Sequence, residues 1–268
     1  MLKRVLTGLA LSAVTLCALL LGKHALWGLL FVCQMLCMWE MLSAVKSAGF
    51  APVRFVYLLY AAALVPVSAF FGSSGALITI LMGVLAAMTL VTLKTEPDSK
   101  ALLYGLLPAV YPAIPMTALL LLAARPENDW RFYLFLTLCI PIGCDTFALF
   151  VGKAIGKHKL HPHVSPHKTV EGAVGGVFGA MLFAVAVWAI ARFGEGLSVP
   201  PLWVILLLGF FGAFFSEVGD LAASYIKRVC AVKDFGWIFP GHGGMLDRMD
   251  SVMFSAVFIL FVLSVFPL

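Results

Sequence analysis

The sequence predicts an all-α integral membrane protein of about nine transmembrane helices, with a cytoplasmic N-terminus and the C-terminus on the opposite side. Three observations carry that prediction. Of the 268 residues 62% are apolar and 12% charged, with a mean hydropathy of +1.05, too few charges to give a soluble core a polar coat. The apolar residues fall into stretches of the roughly 20 residues needed to cross the hydrocarbon core. When those stretches are threaded alternately, all but Lys23, Arg125, Arg131 and Arg192 of the 18 Lys and Arg residues lie on one side. Basic residues accumulate in cytoplasmic loops, so that side is the inside.

The first stretch, residues 4–22, follows Lys3 and Arg4 and resembles a signal peptide at its start. Its apolar run is long and no Ala-x-Ala site follows, which favours a retained span. The next stretches are 25–45, 54–72, 75–93 and 101–124. The last of these holds Pro108, Pro112 and Pro115, which remove backbone donors and predict a kinked or broken helix. Then follow 131–151, 173–191, 201–222 and 249–267. The whole chain, 1–268, reads as a single polytopic membrane domain, with N-terminal spans over 1–125 and catalytic spans over 126–268. Two cytoplasmic loops, near 152–172 and 223–248, exceed a simple turn, and function is expected there. No internal repeat supports an inverted-repeat transporter.

Six cysteines, Cys17, Cys33, Cys37, Cys139, Cys144 and Cys230, lack the paired spacing of a zinc site and read as reduced packing residues. The formal charge of +5 comes without a long basic run interleaved with aromatics, so nucleic acid is not implied. His158, His161 and His163 alternate in a short loop, a pattern usual for a solvated or membrane-surface tract.

Acids in a membrane chain are expensive and point to function. Glu40, Asp145, Glu217, Asp220 and Asp250 lie at or within the spans, with Glu171 and Asp247 just outside, and the threading puts all seven near the cytoplasmic face. Glu217 and Asp220 are one helical turn apart, as are Asp247 and Asp250. Hard oxygen ligands beside a basic loop suit Mg²⁺ shared with substrate phosphates, while simple pairing with Lys or Arg is the alternative, strongest for Glu40.

The densest polar segment, residues 224–250, reads SYIKRVCAVKDFGWIFPGHGGMLDRMD. Lys227, Arg228, Lys233 and Arg248 place four cations there, suited to a triphosphate and a lipid phosphate, and Gly241, Gly243 and Gly244 leave backbone amides free to approach phosphate oxygens. The segment closely resembles the signature of the phosphatidate cytidylyltransferase (CDP-diacylglycerol synthase) family, carried by Ser224, Lys227, Arg228, Lys233, Asp234, Pro240, His242, Gly243, Gly244, Asp247, Arg248 and Asp250. Upstream, FSEVGDLAAS (215–224) resembles the family's eighth-helix segment, and Ser165-Pro166-His167-Lys168-Thr169 followed by Glu171-Gly172 resembles its nucleotide-associated segment. Where the family pattern shows Asn or Ala, then Asp, then Tyr, this chain has Cys144, Asp145 and Leu149.

The resemblance implies transfer of CMP from CTP to phosphatidic acid, with Asp220 and Asp247 as ligands of Mg²⁺, a second monovalent cation such as K⁺, and a homodimer. It implies Ser165, Lys168 and Thr169 as phosphate or ribose donors, with Glu171, Ser224 and Asp234 also at the substrate. Lys227, Arg228, Lys233 and Arg248 would neutralise phosphate charge, Asp250 would orient a basic neighbour, and His242 would either donate to a phosphate or shape the Gly-rich turn. The expected setting is a cell inner membrane with the site at its cytoplasmic face. A cytidylyltransferase for another lipid or polyprenyl phosphate fits the same residues; a transporter would place its polar residues near the bilayer midplane.

Overall fold

The protein is described here by a computed structural model covering residues 2–94, 96–125, 130–194, 199–239, 241 and 243–266, the side chains of 2–6 and 94 excepted. The helices are α1 (Leu2–Leu21), α2 (Lys23–Ser47), α3 (Arg54–Lys94), α4 (Ser99–Val110), α5 (Ala113–Ala123), α6 (Trp130–Ile155), α7 (Val170–Ala189, ending in a π turn, Ile190–Gly194), α8 (Leu202–Val229) and α9 (Leu246–Val265). Among the described residues, seven helical segments are long and apolar enough to cross a membrane, α4 with α5 counting as one.

Two breaks fall where the sequence placed them. Inside α3, Gly72 adopts φ 59° and ψ −145°, a conformation that needs glycine and separates two apolar runs. The proline-rich stretch is interrupted at Tyr111 and Pro112, between α4 and α5. Four helices extend three or more residues beyond the predicted spans: α6 continues to Ile155, α7 begins at Val170, α8 continues to Val229 and α9 begins at Leu246. At 1.5 Å per residue, the 28 residues of α8 measure about 42 Å against about 30 Å of hydrocarbon. The expected loops shrink accordingly. The first, expected as a loop longer than a simple turn, contains an antiparallel hairpin of β1 (Lys159–His161) and β2 (Ser165–Thr169).

The chain forms two compact units, Met1–Ala124 with Lys227–Met249, and Arg125–Ile226 with Asp250–Leu268. Most of the 223–248 loop, from Lys227 onward, falls in the first of these units. In that first unit Met38, Leu42, Tyr57, Tyr60, Ala61 and Leu64 pack from α2 and α3 against Ala109 and Ala113. Tyr57 donates to the carbonyl of Gly105 at 2.7 Å, and Tyr60 donates to that of Ala109 at 3.1 Å. The second of these carbonyls is left without a helical partner where α4 ends. Asp98 caps the start of α4, accepting from the amides of Lys100 and Ala101.

In the second unit α6 and α7 pack along their lengths through glycines. A Cβ on Gly179 would lie 2.5 Å from that of Phe147 and 2.6 Å from the Gly143 carbonyl oxygen, while one on Gly143 would lie 2.7 Å from the Gly179 carbonyl. The two backbones are therefore in direct contact. Gly179→Val should destabilise the protein by roughly 1–3 kcal/mol. Gly28→Ala, where an added Cβ meets nothing within 4 Å, should be neutral or stabilising by up to about 1 kcal/mol. Thermal midpoints in detergent distinguish the two variants.

Candidate active site

In the second unit the hairpin ends at Thr169, whose hydroxyl accepts the Gly172 amide at 3.1 Å and so caps α7. Two residues on, Glu171 reaches back over the hairpin's entry, accepting from the amides of Lys157 (3.1 Å) and His158 and pairing with His158 Nδ1 at 2.6 Å. The loop is thus clipped at its root, and Lys168 projects beside α8. Its ammonium lies 2.5 Å from Glu217 Oε2 and 2.7 Å from Asp220 Oδ2. Burial opposes the charge on Lys168, but the Asp220 and Glu217 carboxylates together outweigh it and hold its pKa above the ordinary lysine value. Cys144, fully buried, points its thiol at Glu217 Oε1 from 3.6 Å. A cavity of about 420 Å³ opens beside this cluster, lined by Asp145, Lys153, His167, Lys168, Thr169 and Glu217 with apolar walls from Ala148, Leu149 and Ala173.

In the first unit a second lysine meets a second carboxylate: Lys227 Nζ lies 2.7 Å from Asp247 Oδ1 and 5.4 Å from the centre of the Phe235 ring. The other oxygen, Asp247 Oδ2, accepts from the amides of Phe235 (2.9 Å) and Gly244 (3.0 Å). Gly243 takes φ +79°, and its carbonyl accepts the Phe239 amide at 3.0 Å. The Gly244 amide expected to face phosphate is therefore directed to Asp247. Arg228, Lys233, Asp234 and Arg248 are exposed. Asp250, buried in the second unit, accepts the Ser251 amide at 2.7 Å. Ser165 and Ser224 are half-buried. His242 and Pro240 lie outside the described residues.

Among the described residues no group of three or more His, Cys, Asp or Glu side chains gathers as a metal cage. Mg²⁺ does not require one, because it commonly takes one or two carboxylates and completes its shell with water and substrate phosphate. Glu217 and Asp220 fit that role, since their oxygens already converge on one cation, the Lys168 ammonium. Asp247 accepts one bond at Oδ1, from Lys227, and two at Oδ2, from the Phe235 and Gly244 amides. His161 and His163 are exposed, and all six cysteines are free thiols.

A family model described as the cytidylyltransferase family matches residues 2–266. The chain belongs to that family. Among its similar curated proteins is a phosphatidate cytidylyltransferase of Bacillus subtilis (strain 168), 42% identical over 134 residues that make up 50% of this chain and 48% of that protein. Proteins of the same name from Rickettsia bellii (strain RML369-C) and Rickettsia conorii (strain ATCC VR-613 / Malish 7) are 32% identical over 180 residues and 37% identical over 185. Those matches cover 67% and 69% of this chain and 77% and 76% of the relatives. The chain spans about half the length of the Bacillus relative it matches.

The resemblance implied both Lys168 and Thr169 as phosphate or ribose donors. The structure gives the first two carboxylate partners and the second a capping role. Glu217 was noted as an acid one turn from Asp220 but was not assigned to the site; that spacing was its signal.

The raised pKa of Lys168 has a defined consequence for stability. Its contribution is fully present below 10.5, the ordinary lysine value, and is lost only as pH rises through the higher folded value. Lys168→Met should therefore destabilise the protein by on the order of 3 kcal/mol. The gap in thermal midpoint from the wild type should be the same at pH 7 and at pH 9; a gap that closes by pH 9 would contradict the assignment.

Proposed function

We propose that the chain is a phosphatidate cytidylyltransferase that transfers CMP from CTP to phosphatidic acid, giving CDP-diacylglycerol and pyrophosphate in phospholipid biosynthesis. One observation carries this reading: in each unit a lysine and a carboxylate of the family's signature segments meet as a pair, Lys168 with Asp220 and Lys227 with Asp247. The names of the relatives support the same reaction.

On this reading an oxygen of the phosphatidate phosphate forms a bond to the α-phosphorus of CTP as the bond from that phosphorus to pyrophosphate breaks. A phosphate monoester has a second pKa of about 6 and is largely a dianion at neutral pH, so no strong general base is needed. The work is positioning and charge neutralisation. Exposed Arg228, Lys233 and Arg248 offer their charges to phosphates of both substrates. Lys168 and Lys227, oriented by their carboxylates, present ammonium groups whose direction is fixed. Ser165, Ser224, Asp234 and Gly243 are assigned to substrate contact by the resemblance. The resemblance assigns Asp220 and Asp247 as the residues that would hold Mg²⁺, whose charge would offset that of the triphosphate, with K⁺ as an accompanying monovalent cation.

The membrane arrangement completes the proposal. Counting α1 as the first span and α3 as two about Gly72 gives nine. With the N-terminus cytoplasmic, the basic loops face the inside of a cell inner membrane, and CTP reaches the site from the cytoplasm while phosphatidic acid arrives from the bilayer. The assembly proposed is a homodimer.

Purified protein in detergent should release pyrophosphate only when CTP, Mg²⁺ and phosphatidic acid are all supplied, with CDP-diacylglycerol formed in equal amount. Release with polyprenyl phosphate but not phosphatidic acid would redirect the reading to another lipid phosphate. Asp220→Asn should lower turnover by about 100-fold or more and abolish the rise in thermal midpoint that Mg²⁺ gives the wild type. An equal Mg²⁺-induced rise in the variant would remove Asp220 from the metal site.

A further inference from the structure

Glu40 sits on α2 with 3% of its surface exposed, and among the described residues its carboxylate is met by backbone amides. Oε1 accepts the Met245 amide at 2.9 Å and Oε2 accepts the Leu246 amide at 2.8 Å. These amides open α9, where the first turn of a helix has donors without intrahelical acceptors and a partial positive charge. The residue before α9 is Met245, which has no oxygen to cap it. The cap is supplied by Glu40, 205 residues away from Met245 in the chain.

The surrounding loop is shaped to that carboxylate. A Cβ on Gly236 or on Gly244 would collide with Glu40 Oε1, so both positions admit only glycine while the carboxylate is seated. The same two arms of the loop are joined a second time by Asp247 Oδ2, which accepts from Phe235 on one arm and Gly244 on the other. Glu40 therefore touches the residue next to each anchor of Asp247, and Asp247 in turn holds Lys227.

We propose that Glu40 is a positioning residue for cytidylyl transfer, fixing the start of α9 and both arms of the loop so that Asp247 and Lys227 are held in their working geometry. The proposal rests on the reaction assigned above. A cap that served folding alone would change thermal stability and leave the chemistry of the folded molecules intact. A positioning residue changes kcat itself, because displacements near 1 Å at reacting groups lower rates by about 100-fold.

The test measures kcat and KM for CTP, per folded molecule, in full-length wild type, Glu40→Gln, Glu40→Asp and Tyr60→Phe, all in detergent with phosphatidic acid and Mg²⁺. Tyr60→Phe removes the bond to the Ala109 carbonyl in the same unit and serves as the destabilised control. The expected result is a kcat about 100-fold lower in Glu40→Gln with KM for CTP changed little, a partial recovery in Glu40→Asp, which keeps the charge on a shorter arm, and wild-type kcat in Tyr60→Phe. If Glu40→Gln does not fold, Glu40→Asp decides alone: a kcat equal to the wild type overturns the proposal, and a reduced kcat at unchanged KM supports it. A wild type that releases no pyrophosphate from CTP overturns the reaction and the proposal together, whereas an active wild type matched by Glu40→Gln overturns the proposal alone.

Discussion

A carboxylate carried on a membrane helix keeps its charge only where donors or an ammonium replace the water it has given up. This requirement organises the polar half of the molecule. Glu40 is met by the opening amides of α9, Asp247 by Lys227 and two loop amides, and Glu217 and Asp220 by one shared lysine, Lys168. Each solution constrains backbone as well as side chains. The loop after α8 is folded around two carboxylates, and the hairpin before α7 is tied down by Glu171 so that Lys168 can reach α8. The apolar packing of the helices supplies the frame on which those charges are arranged.

Much of the fold was legible because a membrane reduces helix prediction to the length and polarity of stretches. The break at Pro112 was visible because proline acts locally, and the one near Gly72 because the apolar run is interrupted there. The helix ends were misjudged by up to seven residues at α8, since hydropathy marks where hydrocarbon ends and a helix continues while its own hydrogen bonds persist. The hairpin escaped notice because strands of only three and five residues, with Leu160 the single large apolar side chain between them, carry no apolar alternation.

The site was legible in composition and partly legible in arrangement. Lys227 and Asp247 stand 20 residues apart within one recognisable segment, and the fold pairs them. The contacts of Glu40 had no such signal, because they join α2 to residues near the far end of the chain, and a sequence window of any ordinary width sees an isolated acid. Gly244 shows the same limit from the other side: as a letter it suggested room for phosphate, whereas in the fold its missing side chain makes room for Glu40.

The separation of Glu40 from its partners also bears on how the protein is made. Synthesis proceeds at about 5–20 residues per second, so the 205 residues between Glu40 and Met245 take roughly 10–40 seconds to appear. Throughout that interval α2 has left the ribosome while its acceptor amides do not yet exist. The acid must enter the bilayer, or wait at its edge, without those donors, and the arrival of α9 supplies them. The helix whose first turn carries Asp247 is thereby also the element whose translation supplies the donors of an acid made long before it.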